Sequence, residues 1–204
     1  MKFITFEGCD FSGKSTQIKL IKKFLEEIGK KTYVTREPGG SPLAEKIRSL
    51  ILNSDEIDDP AIEYLLIAAA RTHHCNNVII PKLKNGYYVI SDRFYDSSVC
   101  YQGYYKGLSI DIIEKIKDMT IGCLKPYITF LIDISIDNIL YRKNSLRSGN
   151  NTYDYKNKEF YIRIKNSYLK IAKSYPERII VINGDNKIDE IHYQIKQIFL
   201  QKVL

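Results

Sequence analysis

Gly8-Cys9-Asp10-Phe11-Ser12-Gly13-Lys14-Ser15 is the stretch that decides how this chain folds. It satisfies G-x-x-x-x-G-K-[ST] at every defined position. The apolar run Phe3–Phe6 precedes it, and Ile18, Ile21, Phe24, Leu25 and Ile28 follow on one helical face that ends at Gly29. Strand, glycine-rich loop and helix in that order make a phosphate cradle. Gly8 and Gly13 let the backbone curl so that successive N–H groups point inward. The helix N-terminus adds partial positive charge. Lys14 then reaches the β- and γ-phosphates of a nucleotide, and the Ser15 hydroxyl is placed to ligate Mg²⁺.

Outward from the cradle, short runs rich in Ile, Val, Phe and Tyr alternate with helical spacings. Strands are expected at Phe3–Phe6, Thr32–Thr35, Tyr87–Ser91, Ile128–Ile132 and Ile179–Ile182, and most read as near-continuous apolar segments covered on both faces. Beyond the first helix, helical stretches are expected over roughly 41–53, 61–80, 109–122, 156–174 and 188–203. The alternation predicts an α/β fold of the P-loop NTPase type, in three layers, with a central parallel sheet of about five strands flanked by helices. No repeat or break in composition divides the 204 residues, so a single domain is expected. The polar stretch Asn144–Asn157 interrupts the pattern and predicts a mobile lid over about 142–157.

Composition narrows the class. With 44% hydrophobic residues the chain has a core to bury, and no apolar run approaches the roughly 18 residues that span a bilayer. The net charge of +7 comes from 31 Lys+Arg against 24 Asp+Glu, but the lysines are spread along the chain without a basic, aromatic-interleaved cluster. Neither nucleic acid nor a membrane is therefore an expected partner. The four cysteines, Cys9, Cys75, Cys100 and Cys123, follow no zinc spacing and read as reduced thiols in a cytoplasmic protein.

A phosphate cradle alone serves kinases, GTPase switches and motors. The chain lacks an N-K-x-D guanine-reading motif and is short for a motor, which leaves a small ATP-dependent kinase as the leading class. The residues expected to hold ATP are Gly8, Cys9, Asp10, Phe11, Ser12, Gly13, Lys14, Ser15 and Thr16. Asp92-Arg93 closes the Tyr87–Ser91 strand at its carboxyl end, where open α/β sheets bind ligands. With Ser15, Asp92 is the expected magnesium site, and Arg93 a phosphate grip.

Three further segments carry a resemblance. They are Thr35-Arg36-Glu37-Pro38-Gly39-Gly40 with Ile47-Arg48, then Ala68-Ala69-Ala70-Arg71, then Asp92-Arg93-Phe94-Tyr95-Asp96-Ser97-Ser98-Val99-Cys100-Tyr101-Gln102-Gly103. In order and spacing, together with the phosphate cradle, they resemble the bacterial thymidylate kinases over nearly the whole chain. The resemblance implies phosphorylation of dTMP to dTDP by ATP with magnesium, and a homodimer. It implies that Asp10 contacts the sugar 3′-hydroxyl and helps to place the acceptor. Arg48 and Arg93 would hold the dTMP phosphate in a pocket shaped by Glu37 and Pro38. Arg71, Ser98 and Gln102 would read the thymine edge, with Tyr101 against the deoxyribose. The catalytic set implied is Lys14, Asp10 and Arg93, completed by a lid arginine.

Two departures from the family pattern stand out. Ile67 occupies the position where Phe commonly stacks on thymine, which forgoes aromatic stacking worth roughly 0.5–1.5 kcal/mol. The lid stretch Asn151-Thr152-Tyr153-Asp154 has no Arg, and Cys9–Ser12 has no basic residue either. Arg147 and Arg142, which border the lid, are the expected replacements. A kinase for another nucleotide or a deoxynucleoside is the alternative, followed by a non-catalytic nucleotide switch.

Overall fold

The five apolar runs are five parallel strands in the computed structural model, which describes residues 2–54, 57–122, 124–145 and 157–203. They are β1 (Phe3–Glu7), β2 (Thr32–Arg36), β3 (Tyr88–Asp92), β4 (Ile128–Asp133) and β5 (Ile179–Asn183), ordered β2-β3-β1-β4-β5. Period-two alternation sends successive side chains of β1 to opposite layers. Ile4 and Phe6 pack with Ile21 and Leu25 of α1 (Lys14–Glu27) and with Ile195 and Phe199 of α9 (Ile188–Lys202). Phe3 faces the other layer, with Tyr64 of α3 (Pro60–His74), Ile113 of α6 (Ile110–Thr120) and Ile164 of α8 (Lys158–Ser174). Each such side chain, fully buried, contributes roughly 1.5–3 kcal/mol. Farther along that second face the chain turns polar, at Thr5 and Glu7, and this is the side on which the site forms.

Full coverage of both faces holds for the inner strands only. β2 and β5 are the sheet edges, and there Val34 and Val181 are exposed. α2 (Pro42–Asn53) lies where its spacing predicts. The helix expected over 61–80 starts at Pro60, passes through a π-helical stretch at Cys75–Ile79 and continues as α4 (Ile80–Lys84) beyond Pro81.

Two helical regions were not expected. α5 (Tyr95–Ser98) runs into a π-helical stretch, Val99–Tyr105, that is buried on nearly every side, so no amphipathic stripe marks it. In α7 (Ile136–Ser145) only Ile139 and Lys143 are buried, too few to show a period.

The register explains why distant motifs meet. Phe6 of β1 lies beside Asp92 of β3, and Arg93 N donates to Phe6 O at 2.9 Å. The loop after β1 and the turn after β3 therefore open into one crevice at the carboxyl ends of the strands.

Candidate active site

Gly8 starts the cradle at φ +135°, and a Cβ there would lie 2.5 Å from Ile132 O on the neighbouring strand. Only glycine fits that approach. Gly13, in the left-handed region, turns the loop into α1. Lys14 Nζ lies back along the loop, donating to Gly8 O at 3.1 Å and Cys9 O at 2.9 Å. Burial, reinforced by Arg93, pulls this ammonium below its ordinary value against the opposing pull of Asp92 and Asp10. An arriving phosphate would reverse that imbalance.

Ser15 Oγ donates to Asp92 Oδ2 at 2.9 Å, although 77 residues separate them. Two hard oxygen donors thus converge at the mouth of the cradle. Among the described residues no cluster of three His, Cys, Asp or Glu accompanies them. The donor set fits magnesium, which takes one or two protein oxygens and completes its shell with phosphate and water.

Arg93 adopts φ +68°, a left-handed conformation that L-residues rarely hold. The turn aims its guanidinium back at the cradle. NH2 donates to Asp10 Oδ1 at 2.6 Å, and NH1 to Tyr168 OH at 2.7 Å and Ser97 Oγ at 3.2 Å. Burial opposes ionisation of Asp10, yet Arg93 and Lys14 outweigh it and hold the carboxyl below its ordinary value. Beneath them Glu7, at the end of β1, accepts from Phe94 N at 2.7 Å, Ser97 Oγ at 2.6 Å and Tyr168 OH at 3.0 Å. Burial first and Asp96 second push its carboxyl up to about 7, against the lowering influence of Arg93.

A second polar chain lines the far side. Arg71 Nε donates to Glu37 Oε2 at 2.6 Å and NH2 to Ser98 Oγ at 3.0 Å. His74 bridges the remaining Glu37 oxygen at 3.0 Å and Thr35 Oγ1 at 2.7 Å. Arg48 NH1 donates to Pro38 O at 2.8 Å, and Gln102 Nε2 to Glu63 Oε2 at 3.1 Å. Tyr101 places its ring 5.3 Å from the Arg93 guanidinium, while its buried hydroxyl has no hydrogen-bond partner among the described residues.

Most of these groups line one cavity of about 770 Å³, while Glu7, Thr35, His74 and Tyr168 stand behind its wall. Of the expected site residues that are described, all but Gly8 and Cys9 line it, including Thr16, Pro38 and Ile67. Gly8 and Cys9 are buried, and their carbonyls accept from Lys14 Nζ. Arg142 lines it as well, but from α7. Its NH1 donates to Phe11 O and Ser12 O at 3.2 Å each, and NH2 to Gly184 O at 3.1 Å. Arg147, Cys123 and the expected lid stretch Asn151-Thr152-Tyr153-Asp154 lie outside the described residues.

Sequence reasoning missed Glu7, Glu63 and Tyr168. Glu7 has a signal, a charged residue ending an apolar strand. Glu63 and Tyr168 show none, because an isolated Glu or Tyr in a helix reads as an ordinary surface or core residue.

A nucleotide-phosphate cradle and a second set of guanidinium groups facing it across one cavity serve phosphoryl transfer between two small molecules, and the class is the P-loop kinases. The sequence model of the family described as Thymidylate kinase matches residues 6–195. The chain is 38% identical over 196 residues to a thymidylate kinase of Nitrosospira multiformis, covering 96% of this chain and 95% of that protein. A thymidylate kinase of Mesoplasma florum is 38% identical over 202 residues, with 98% and 96% coverage. The crystal structure of thymidylate kinase from Ehrlichia chaffeensis superposes with a TM-score of 0.79 at 35% identity, covering 98% of each chain. The chain belongs to the thymidylate kinase family. Its activity is the transfer of the ATP γ-phosphoryl group to dTMP, giving dTDP.

Proposed function

We propose that ATP phosphates occupy the Gly8–Thr16 side of the cavity and dTMP the side lined by Arg48, Ile67, Arg71 and Tyr101. The contact between Arg93 NH2 and Asp10 Oδ1, at 2.6 Å, carries this reading. It joins the donor loop to the acceptor grip where the transferred group would pass.

In this reading Arg93 and Arg48 hold the dTMP phosphate and offset its charge as it nears ATP. An acceptor phosphate oxygen attacks the γ-phosphorus in line. The new O–P bond forms as the bond to the bridging β,γ-oxygen breaks, and ADP leaves. Lys14 turns from its carbonyls to the β- and γ-phosphate oxygens. Asp10 accepts from the sugar 3′-hydroxyl and orients the acceptor. Ser15 and Asp92 would hold magnesium, which supplies charge neutralisation on the phosphates when bound. Catalysis is positioning and charge stabilisation, with no covalent enzyme intermediate.

On the base side, Arg71, Ser98 and Gln102 face the thymine edge, and Ile67 covers the ring with aliphatic surface. Glu37 and Pro38 shape the pocket. The unpartnered Tyr101 hydroxyl sits where a deoxyribose would meet it. Arg142, held by three backbone carbonyls, braces the cradle and adds positive charge behind it, and Arg147 supplies the lid charge.

The test is kcat/KM with ATP for dTMP, dUMP, dCMP, dAMP and thymidine. dTMP is expected to rank first, and a preference for thymidine would refute the assignment of Arg48 and Arg93. Turnover of Arg142→Ala and Arg147→Ala is expected to fall. Near wild-type turnover in both would leave the charge to Lys14 and magnesium.

We further propose a homodimer. Ile62 and Leu65 on α3 and Ile112 and Met119 on α6 are all exposed, Met119 at 79%. Sedimentation equilibrium is expected to give twice the chain mass, and a monomer at micromolar concentration would refute it. Cytoplasmic placement rests on the buried thiols of Cys9, Cys75 and Cys100, none in a disulfide. No helix among the described residues is long and apolar enough to cross a membrane.

A further inference from the structure

Glu63 is a carboxylate in the wall of the nucleotide cavity, 3% exposed, with no phosphate to answer and no place in the transfer step. It lies on α3 and meets Gln102, in the middle of the Val99–Tyr105 stretch, and Lys106 just beyond it. Lys106 Nζ is 2.8 Å from Oε2, and Gln102 Nε2 donates to the same oxygen at 3.1 Å. A carboxylate paired in this way offers acceptors only. The Gln102 amide can therefore present only its NH₂ to Glu63. Its carbonyl oxygen is left for whatever occupies the cavity that Gln102 lines. Eight residues along α3 from Glu63, about two helical turns, Arg71 commits Nε to Glu37 and NH2 to Ser98 and Phe94 O. It can present only a donor.

We infer that Glu63 determines base specificity by locking the flip of the Gln102 side-chain amide, so that the pocket offers one donor, from Arg71, beside one acceptor, from Gln102. A 4-oxo pyrimidine answers that pair with its O4 acceptor and its N3–H donor. A 4-amino pyrimidine presents an NH₂ donor and a bare N3 acceptor, wrong at both places. To donate its NH₂ to N3 of cytosine, Gln102 would have to turn its carbonyl oxygen onto the Glu63 carboxylate, two acceptors face to face. Glu63 acts on the base through Gln102, so it is a positioning residue. The inference rests on the proposed seating of the base against Gln102 and Arg71.

The substitution that probes it is Glu63→Gln, which keeps the shape and gives Gln102 a partner that can either donate or accept. The freed amide can then turn to suit cytosine. kcat/KM for dCMP is expected to rise by about tenfold. That for dTMP should fall only about twofold, because half of the amide orientations become unproductive. A gain on the wrong substrate is a result that structural damage does not produce. An unchanged dTMP-to-dCMP ratio in the folded variant overturns the role of Glu63.

Gln102→Leu separates this from the seating itself. If it leaves dTMP kcat/KM unchanged, the base does not sit against Gln102, whatever Glu63 does. A third measurement needs no variant. In the wild-type ¹⁵N spectrum, one Gln102 side-chain amide proton is expected to be shifted downfield and slowed in exchange by the Glu63 carboxylate. Two freely exchanging protons there overturn the proposal, even where Glu63→Gln fails to fold.

Discussion

Glu7→Gln tests the buried polar network under Arg93. The Glu7 carboxyl is 1% exposed, and its nearest neighbours are an amide and two hydroxyls rather than a cation. Burial and Asp96 push it from 4.5 to about 7. A carboxyl raised on folding binds its proton more tightly in the native state, so its contribution to stability is fully present below the unfolded value. That contribution is lost as pH rises through the native one. The interval from 4.5 to about 7 corresponds to about 3 kcal/mol. Between pH 5 and pH 8, where most of the interval falls, about 2–3 kcal/mol is expected. Glutamine has the same shape and does not titrate, so the difference in stability between variant and wild type isolates this one group. Urea unfolding across pH 5–8 measures it. The variant is expected to gain about 2–3 kcal/mol on the wild type as pH rises, with an unchanged denaturant slope. A difference that stays flat, or that moves the other way, refutes the reasoning. Glu7 would then be ionised throughout, carried by Arg93.

Other substitutions bear on separate parts of the site. Lys14→Met is expected to lower turnover about a thousandfold in a coupled assay while leaving the thermal midpoint near the wild-type value. Retained turnover would mean the lysine stays with its carbonyls. Asp92→Asn weakens the proposed magnesium pair with Ser15, so half-saturating magnesium should rise about tenfold, and an unmoved titration would exclude Asp92 from that site. Gly40 sits at φ +81°, with Thr35 Oγ1 and His74 Nε2 where a Cβ would go. Gly40→Ala is expected to cost about 2–4 kcal/mol in urea unfolding, and a neutral result would show that the His74 bridge yields easily.

Much of the architecture can be read from residues close together in the chain. The five strands and the first helix follow from runs and spacings a few residues long, and the cradle from eight consecutive positions. Arg36, Arg48, Arg71 and Arg93 also stand out locally, because a chain with 31 Lys+Arg uses so few arginines. What escaped local reading was helical structure without a polar face, at Tyr95–Tyr105, and helical structure with almost no apolar face, at Ile136–Ser145. Periodicity needs contrast, and neither segment has it.

The sequence by itself determined the phosphate chemistry, because a loop that binds through its own backbone needs only glycine, lysine and serine at fixed intervals. It also marked Asp92 and Arg93 as the end of a strand. Only the tertiary structure decided what those residues face. Parallel pairing of β1 with β3 sets Asp92 beside Ser15 and Arg93 beside Asp10, contacts that span 77 and 83 residues. The same packing closes Glu7 away from water and sets Glu63 against Gln102. A carboxylate's role depends on what surrounds it, and for both residues those surroundings come from other parts of the chain.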